Sequence, residues 1–202
     1  MMACAQYSLW SAARTTWILG AVAGALALSG CLAPDHHTVR GALAAAARAV
    51  EDGDGRALFA CIDERARNAM ISTVRARQRA AAAISADYPE GERAAALSAL
   101  GDAARVRDAE GLFAARCTVA CMADLGARLG APVAQVARGA ELEVRTARGG
   151  TLRLYRGKTG AYGIVWNTDA LSAERSRAAR EWIQIQKNAE VSRRRRAIEA
   201  AR

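Results

Sequence analysis

Histidine is nearly missing from this 202-residue chain: His36 and His37, side by side near the N-terminus, are the two it has. A serine or cysteine nucleophile served by a histidine base would have to be built from that one segment. The chain after residue 30 also lacks a phosphate-binding loop, a dinucleotide fingerprint, a nucleophile elbow and a zinc-protease helix. The expectation is a protein with no catalytic residues, no metal and no cofactor. Glu141 and Glu143, a carboxylate pair that acid–base chemistry would notice, read instead as the wet face of a strand. Proline is scarce too, with Pro34, Pro89 and Pro132 in all, and aromatic residues make up 5% of the chain. With Ala and Arg abundant, that balance favours helix. Acidic residues fall short of basic ones, 20 against 29. No apolar run reaches the roughly 20 residues of a membrane span.

One uncharged apolar run is present, from Trp17 to Leu28, preceded by Arg14 and followed by Ser29, Gly30 and Cys31. A basic residue, a short apolar stretch and small residues in that order are the layout of a secretory segment. Its last four residues, Leu28-Ser29-Gly30-Cys31, resemble the lipobox of bacterial lipoproteins. The resemblance implies that residues 1–30 are a signal peptide and that Cys31 receives a diacylglycerol on its sulfur. The new N-terminus is then fatty-acylated, palmitate being the usual kind of chain, and the membrane becomes a partner through acylated Cys31. It further implies a bacterial cell-envelope location, and Leu32, standing where Asp would retain the protein at the inner membrane, points to the outer membrane, facing the periplasm. Two other outcomes stay open at this point: cleavage after Ala25-Leu26-Ala27 with release of a soluble protein, or a permanent span.

Domain organisation follows from that boundary. Residues 31–37 read as a lipidated tether, 38–191 as a globular α+β domain, and 192–202 as a basic helix end. Cys61, Cys117 and Cys121 remain after Cys31, an odd number in an oxidising compartment. One disulfide is expected, joining Cys61 to Cys117 or Cys121 across two packed helices. A Cys117–Cys121 bond at i,i+4 spacing competes with it.

Apolar residues at three- and four-residue spacing predict helices from about Thr38 to Glu51, after Asp54, from Asp63 to about Ser85, and from Pro89. Two or three short helices are expected between Asp102 and Leu129. Past Gly139 the period changes to two. Leu142 and Val144, then Leu152 and Leu154, then Tyr162, Ile164 and Trp166 predict a three-stranded antiparallel meander joined by glycine-containing turns. A long helix from Asp169 carries Leu171, Ala178, Trp182, Ile185 and Ala189, which suits a cover for that sheet. The fold class is therefore α+β and helix-dominated. The segment Val39 to Ile62 together with the late strands is similar to the cone-shaped fold of nuclear transport factor 2 and its bacterial relatives. The Ala/Arg-rich body with its charged C-terminal helix also resembles uncharacterised envelope lipoproteins of high-GC bacteria.

Arg193-Arg194-Arg195-Arg196 is the sharpest remaining feature. Cations there favour a helix C-terminus, and with Lys187 they are candidate contacts to an anionic lipid surface or cell-wall polymer. Export leaves no role for nucleic acid as a partner. Trp182 is expected to be buried, and the arginines after it exposed. The function expected is a non-enzymatic structural or interaction role at the cell envelope, with the protein partner open. The alternative is a module that binds a small apolar ligand or lipid between sheet and helices, in a cavity lined by Leu152, Leu154, Ile164 and Trp166.

Overall fold

A computed structural model describes residues 34–202; the expected signal segment, Cys31 and its two following residues lie outside the described part. Side-chain caps set most helix starts, each an oxygen accepting from a backbone N–H that the helix leaves unpaired. Thr38 accepts from Gly41 and opens α1 (Val39–Glu51); Asp54 accepts from Arg56 and Ala57 and opens α2 (Gly55–Ala60). Asp63 accepts from Arg65 and Ala66 and opens α3 (Glu64–Asp87), which ends at Tyr88, extended ahead of Pro89. Helix α4 (Glu90–Ala99) carries Glu90 and Glu92 in its first turn. After a 3₁₀ turn at Asp102–Ala104 come α5 (Ala109–Arg116), capped by Asp108, and α6 (Val119–Arg128). The long helix is α7 (Thr168–Ala200).

The sheet has four strands, β1 (Pro132–Arg138), β2 (Glu141–Thr146), β3 (Thr151–Arg156) and β4 (Tyr162–Ile164), in an antiparallel meander of that order. The expected three are present, and β1 is an addition. It is an edge strand whose Val133 and Val136 are both exposed, so it never shows the one-face-buried alternation by which the others are recognised. Register places Leu142 opposite Leu154 and Val144 opposite Leu152, so their side chains share one face. Beyond β4 the chain between α2 and α3 runs alongside in parallel: Asp63 N–H donates to Ile164 O and Ile164 N–H donates to Cys61 O, both at 2.9 Å. Gly163 permits that approach, since a Cβ there would stand 2.6 Å from Asp63 Cα.

Val144, Leu152, Leu154 and Ile164 from the sheet are buried in one core with Leu43, Leu58, Met70, Leu112 and Phe113. Helix α7 does not cover that sheet as its apolar spacing predicts. It packs along α3, and Leu171 is its one buried side chain in the main core. The two helices run parallel, because contacts occur in the same order along both. Thr168 meets Asp63, Glu181 meets Arg77, and Arg193 and Arg196 meet Asp87. The main core occupies their first turns. Farther along, a second, smaller cluster joins Ala80, Ile84, Tyr88, Leu100 and Ala189, with Trp182 and Ile185 half-buried against it.

Candidate interaction surface

Asp63 connects the two helices at their common end. Its side chain has no exposure; Oδ1 caps α3 and also accepts from Arg65 Nε at 3.1 Å, and Oδ2 accepts from the Thr168 hydroxyl at 2.6 Å. Arg65 continues the network outward. It donates to Glu141 Oε1 at 2.8 Å and lies 4.0 Å from the centroid of the Tyr155 ring, while Arg153 reaches the other oxygen of Glu141 at 3.2 Å. Arg138 faces Glu143 at 3.8 Å. Glu141 and Glu143 are thus on the outer face of β2, as their alternation predicts, and bound by arginines.

The entry to the fold is tighter than the expected tether. Asp35 carboxylate accepts from His37 N–H at 2.9 Å, its carbonyl accepts from Thr38, and the His36 carbonyl accepts from Tyr162 N–H at 2.7 Å. Asp35 to His37 are therefore part of the folded body rather than a free linker. Gly41 makes room for this turn, because a Cβ there would overlap Asp35 O at 2.0 Å. A small cleft of about 190 Å³ opens beside it, lined by His36, Glu64, Arg67, Thr159 and Tyr162.

The cysteines are arranged differently from the pairing expected of Cys61. Cys117 and Cys121 form a disulfide with Cα atoms 5.0 Å apart, and Cys61 is free and buried. Cys117 ends α5 in non-helical backbone (φ −90°, ψ 78°), so the chain bends between α5 and α6 and the bond spans that bend. Cys61, at the end of α2, directs its thiol to Ala57 O at 3.4 Å. Burial pushes that thiol up to about 11, against a smaller opposing effect of Arg67. It is a poor nucleophile as folded.

Leu152, Leu154 and Ile164 are each at most 3% exposed, and Trp166 stands edge-on to Phe113 with ring centroids 5.0 Å apart. They pack between sheet and helices. No helix among the described residues is long and apolar enough to cross a membrane.

The basic segment is sorted by helix geometry. Helix α7 passes without a break through Ser192, where the fold was expected to give way to surface. Arg193 and Arg196 turn back toward α3 and bracket Asp87, with Arg196 at 3.0 Å from Oδ1 and Arg193 at 3.6 Å from Oδ2. Arg194 pairs with Glu190 and Arg195 with Glu199, each across one helical turn. Lys187 is exposed beside a groove of about 450 Å³ that Trp182, Ile183 and Asp87 also line. Trp182 is half-buried, a groove wall more than a core residue: one side packs against the α3 cluster and the other faces the groove. Arg77, which reads from sequence as part of the wet side of α3, is instead 8% exposed and paired with Glu181, and sequence reading missed Asp87. It also missed the apolar residues of the open side of α7: Ile183, Val191 and Ile198 are 52%, 66% and 59% exposed. Their spacing of eight and seven residues was a signal available in the sequence.

No protein-family model matches the chain, and neither a curated protein nor a solved structure matches it.

Proposed function

We propose that this chain is a bacterial cell-envelope lipoprotein, anchored through acylated Cys31, with a non-catalytic interaction role. The observation that carries the reading is Leu28-Ser29-Gly30-Cys31 at the end of an uncharged run. The fold is compatible with an anchor at that point. Asp35 to His37 dock on β4 only a few residues after Cys31, so the body would sit close to the bilayer. The half-buried and buried carboxylates hold structure together: Asp63 joins α3 to α7, Glu141 binds Arg65 and Arg153, and Glu174 takes both forks of Arg116 at 2.7 Å. Two or more acyl chains give stable attachment where one gives marginal binding, at about 0.8 kcal/mol per buried methylene.

Metabolic labelling with a fatty acid tests the anchor. The wild-type chain should take up label and fractionate with membranes, and Cys31→Ser should lose both the label and the processing. Continued labelling of Cys31→Ser would overturn the reading.

A further inference from the structure

The open side of α7 carries a regular pattern. Arg180, Lys187 and Arg194 alternate with Ile183, Val191 and Ile198 at steps of three and four residues, and Arg202 follows just past the end of the helix. At 100° per residue the six helical positions fall within an arc of about 80°, on the side away from α3, and they extend over roughly 27 Å of helix. All seven residues are exposed. Glu181 and Glu199 lie well outside the arc and Glu190 at its margin, where it pairs with Arg194. Among the described residues no carboxylate pairs with Arg180, Lys187 or Arg202. A shallow hollow of about 420 Å³ lies along this side, with Val191 and Ile198 in its wall.

We infer that this stripe is a docking face for an anionic lipid bilayer, on which α7 lies in the plane of the surface. Charge selects the partner first. A second copy of the chain would set cation against cation at every other position, which opposes a helix pair. A polyanion such as a cell-wall polymer would satisfy the cations and leave three branched apolar side chains in water. An anionic bilayer satisfies both sets, the cations at the headgroups and the isoleucines and valine at the acyl boundary. Its flatness also matches a straight stripe, where a folded protein partner would need a groove of that length. The inference deepens the proposed envelope role by naming the surface contacted, and it is tested without the anchor so that the two fail separately.

Residues 34–202, which hold every described core residue and lack both Cys31 and the apolar run Trp17–Leu28, are sedimented with phosphatidylglycerol-rich vesicles and with phosphatidylcholine vesicles. Two stripe variants are compared in that background, Lys187→Gln/Arg194→Gln and Val191→Ser/Ile198→Ser, with thermal midpoints showing that each is folded. Binding should be stronger to the anionic vesicles and fall with salt. The charge variant should lose about 30-fold in affinity and the apolar variant about tenfold. Equal binding by all three chains would overturn the stripe. Loss in the charge variant alone would overturn insertion into lipid and leave a polyanion as the partner. Because fatty-acid labelling of Cys31 is read in the wild-type chain, neither result bears on the anchor.

Discussion

The two ends of the α3–α7 pair are held together by different physics. At the end shared with the sheet, large apolar side chains from six helices and three strands close on Phe113, Leu58, Met70 and Leu154, each fully buried. At the other end the cluster is small and alanine-rich, and ion pairs take over: Arg77 with Glu181, then Arg193 and Arg196 with Asp87. Burying a Phe or Leu is worth about 1.5 to 3 kcal/mol, whereas an exposed ion pair contributes roughly 0 to 1, and one partly withdrawn from water loses much of its gain to desolvation. The sheet end therefore carries the stability. The far end is tied by charge and, among the described residues, leaves one side of α7 open, where the proposed docking face lies.

Substitutions at equivalent aromatic positions put the largest effect on that contrast. Phe113→Ala should cost about 3 to 5 kcal/mol by chemical denaturation, since it empties the centre of the main core and removes a partner of both Phe59 and Trp166. Trp182→Ala, at the far end, should cost about 1 to 2 kcal/mol, because one side of its ring already faces a groove. Equal losses would show that the two ends are a single core.

Asp63→Ala attacks the junction itself. It removes the cap of α3 and leaves the Thr168 hydroxyl, at a residue 7% exposed, without its acceptor. A lost cap costs about 1 kcal/mol and an orphaned buried donor about 1 to 3 more. The expected loss is thus roughly 2 to 4 kcal/mol. Asp63→Asn should recover part of it, since an amide oxygen still caps the helix. Hydrogen exchange should show the first turns of both α3 and α7 opening together. Protection lost in α3 alone would mean that Thr168 is held by other contacts.

The helix-dominated α+β class was legible because its signals are local. Thr38, Asp54, Asp63 and Asp108 announce helix starts by chemistry that acts within four residues, and Leu142/Val144 and Leu152/Leu154 announce strands by alternation. What remained hidden depends on partners distant in sequence. Leu171 to Ala189 mark an apolar face on α7, and periodicity cannot say whether α3 or a sheet covers it. Edge strand β1 buries too little to alternate. The disulfide depended on a bend at Cys117 that no residue type announces, and Cys61 was drawn into the pairing by apolar surroundings that instead bury it as a thiol. The arginine run was visible as charge, yet its division into two residues that bracket Asp87 and others that face water is a matter of helical angle. That division could have been read by projecting the helix once Asp87 was known as its neighbour.

The smallest effect expected is a pH dependence confined to the link between α5 and α7. Arg116, hydrogen-bonded to Glu174, holds the Glu174 carboxyl below its ordinary value of 4.5, against the opposing effect of burial. A carboxyl that is more acidic in the folded chain binds fewer protons there than when unfolded. Its contribution is therefore complete above pH 4.5 and disappears as pH falls through the lower folded-state value. Both side chains are partly exposed, so the contribution is screened and should stay within about 1 kcal/mol. Denaturation of wild type and Glu174→Gln should differ at pH 7, converge below the folded-state value, and differ less at high salt. Curves that stay parallel through the acid range would show that Glu174 acts through packing and not through its charge, leaving ion pairing between α7 and its neighbours to the far end, at Glu181, Arg193 and Arg196.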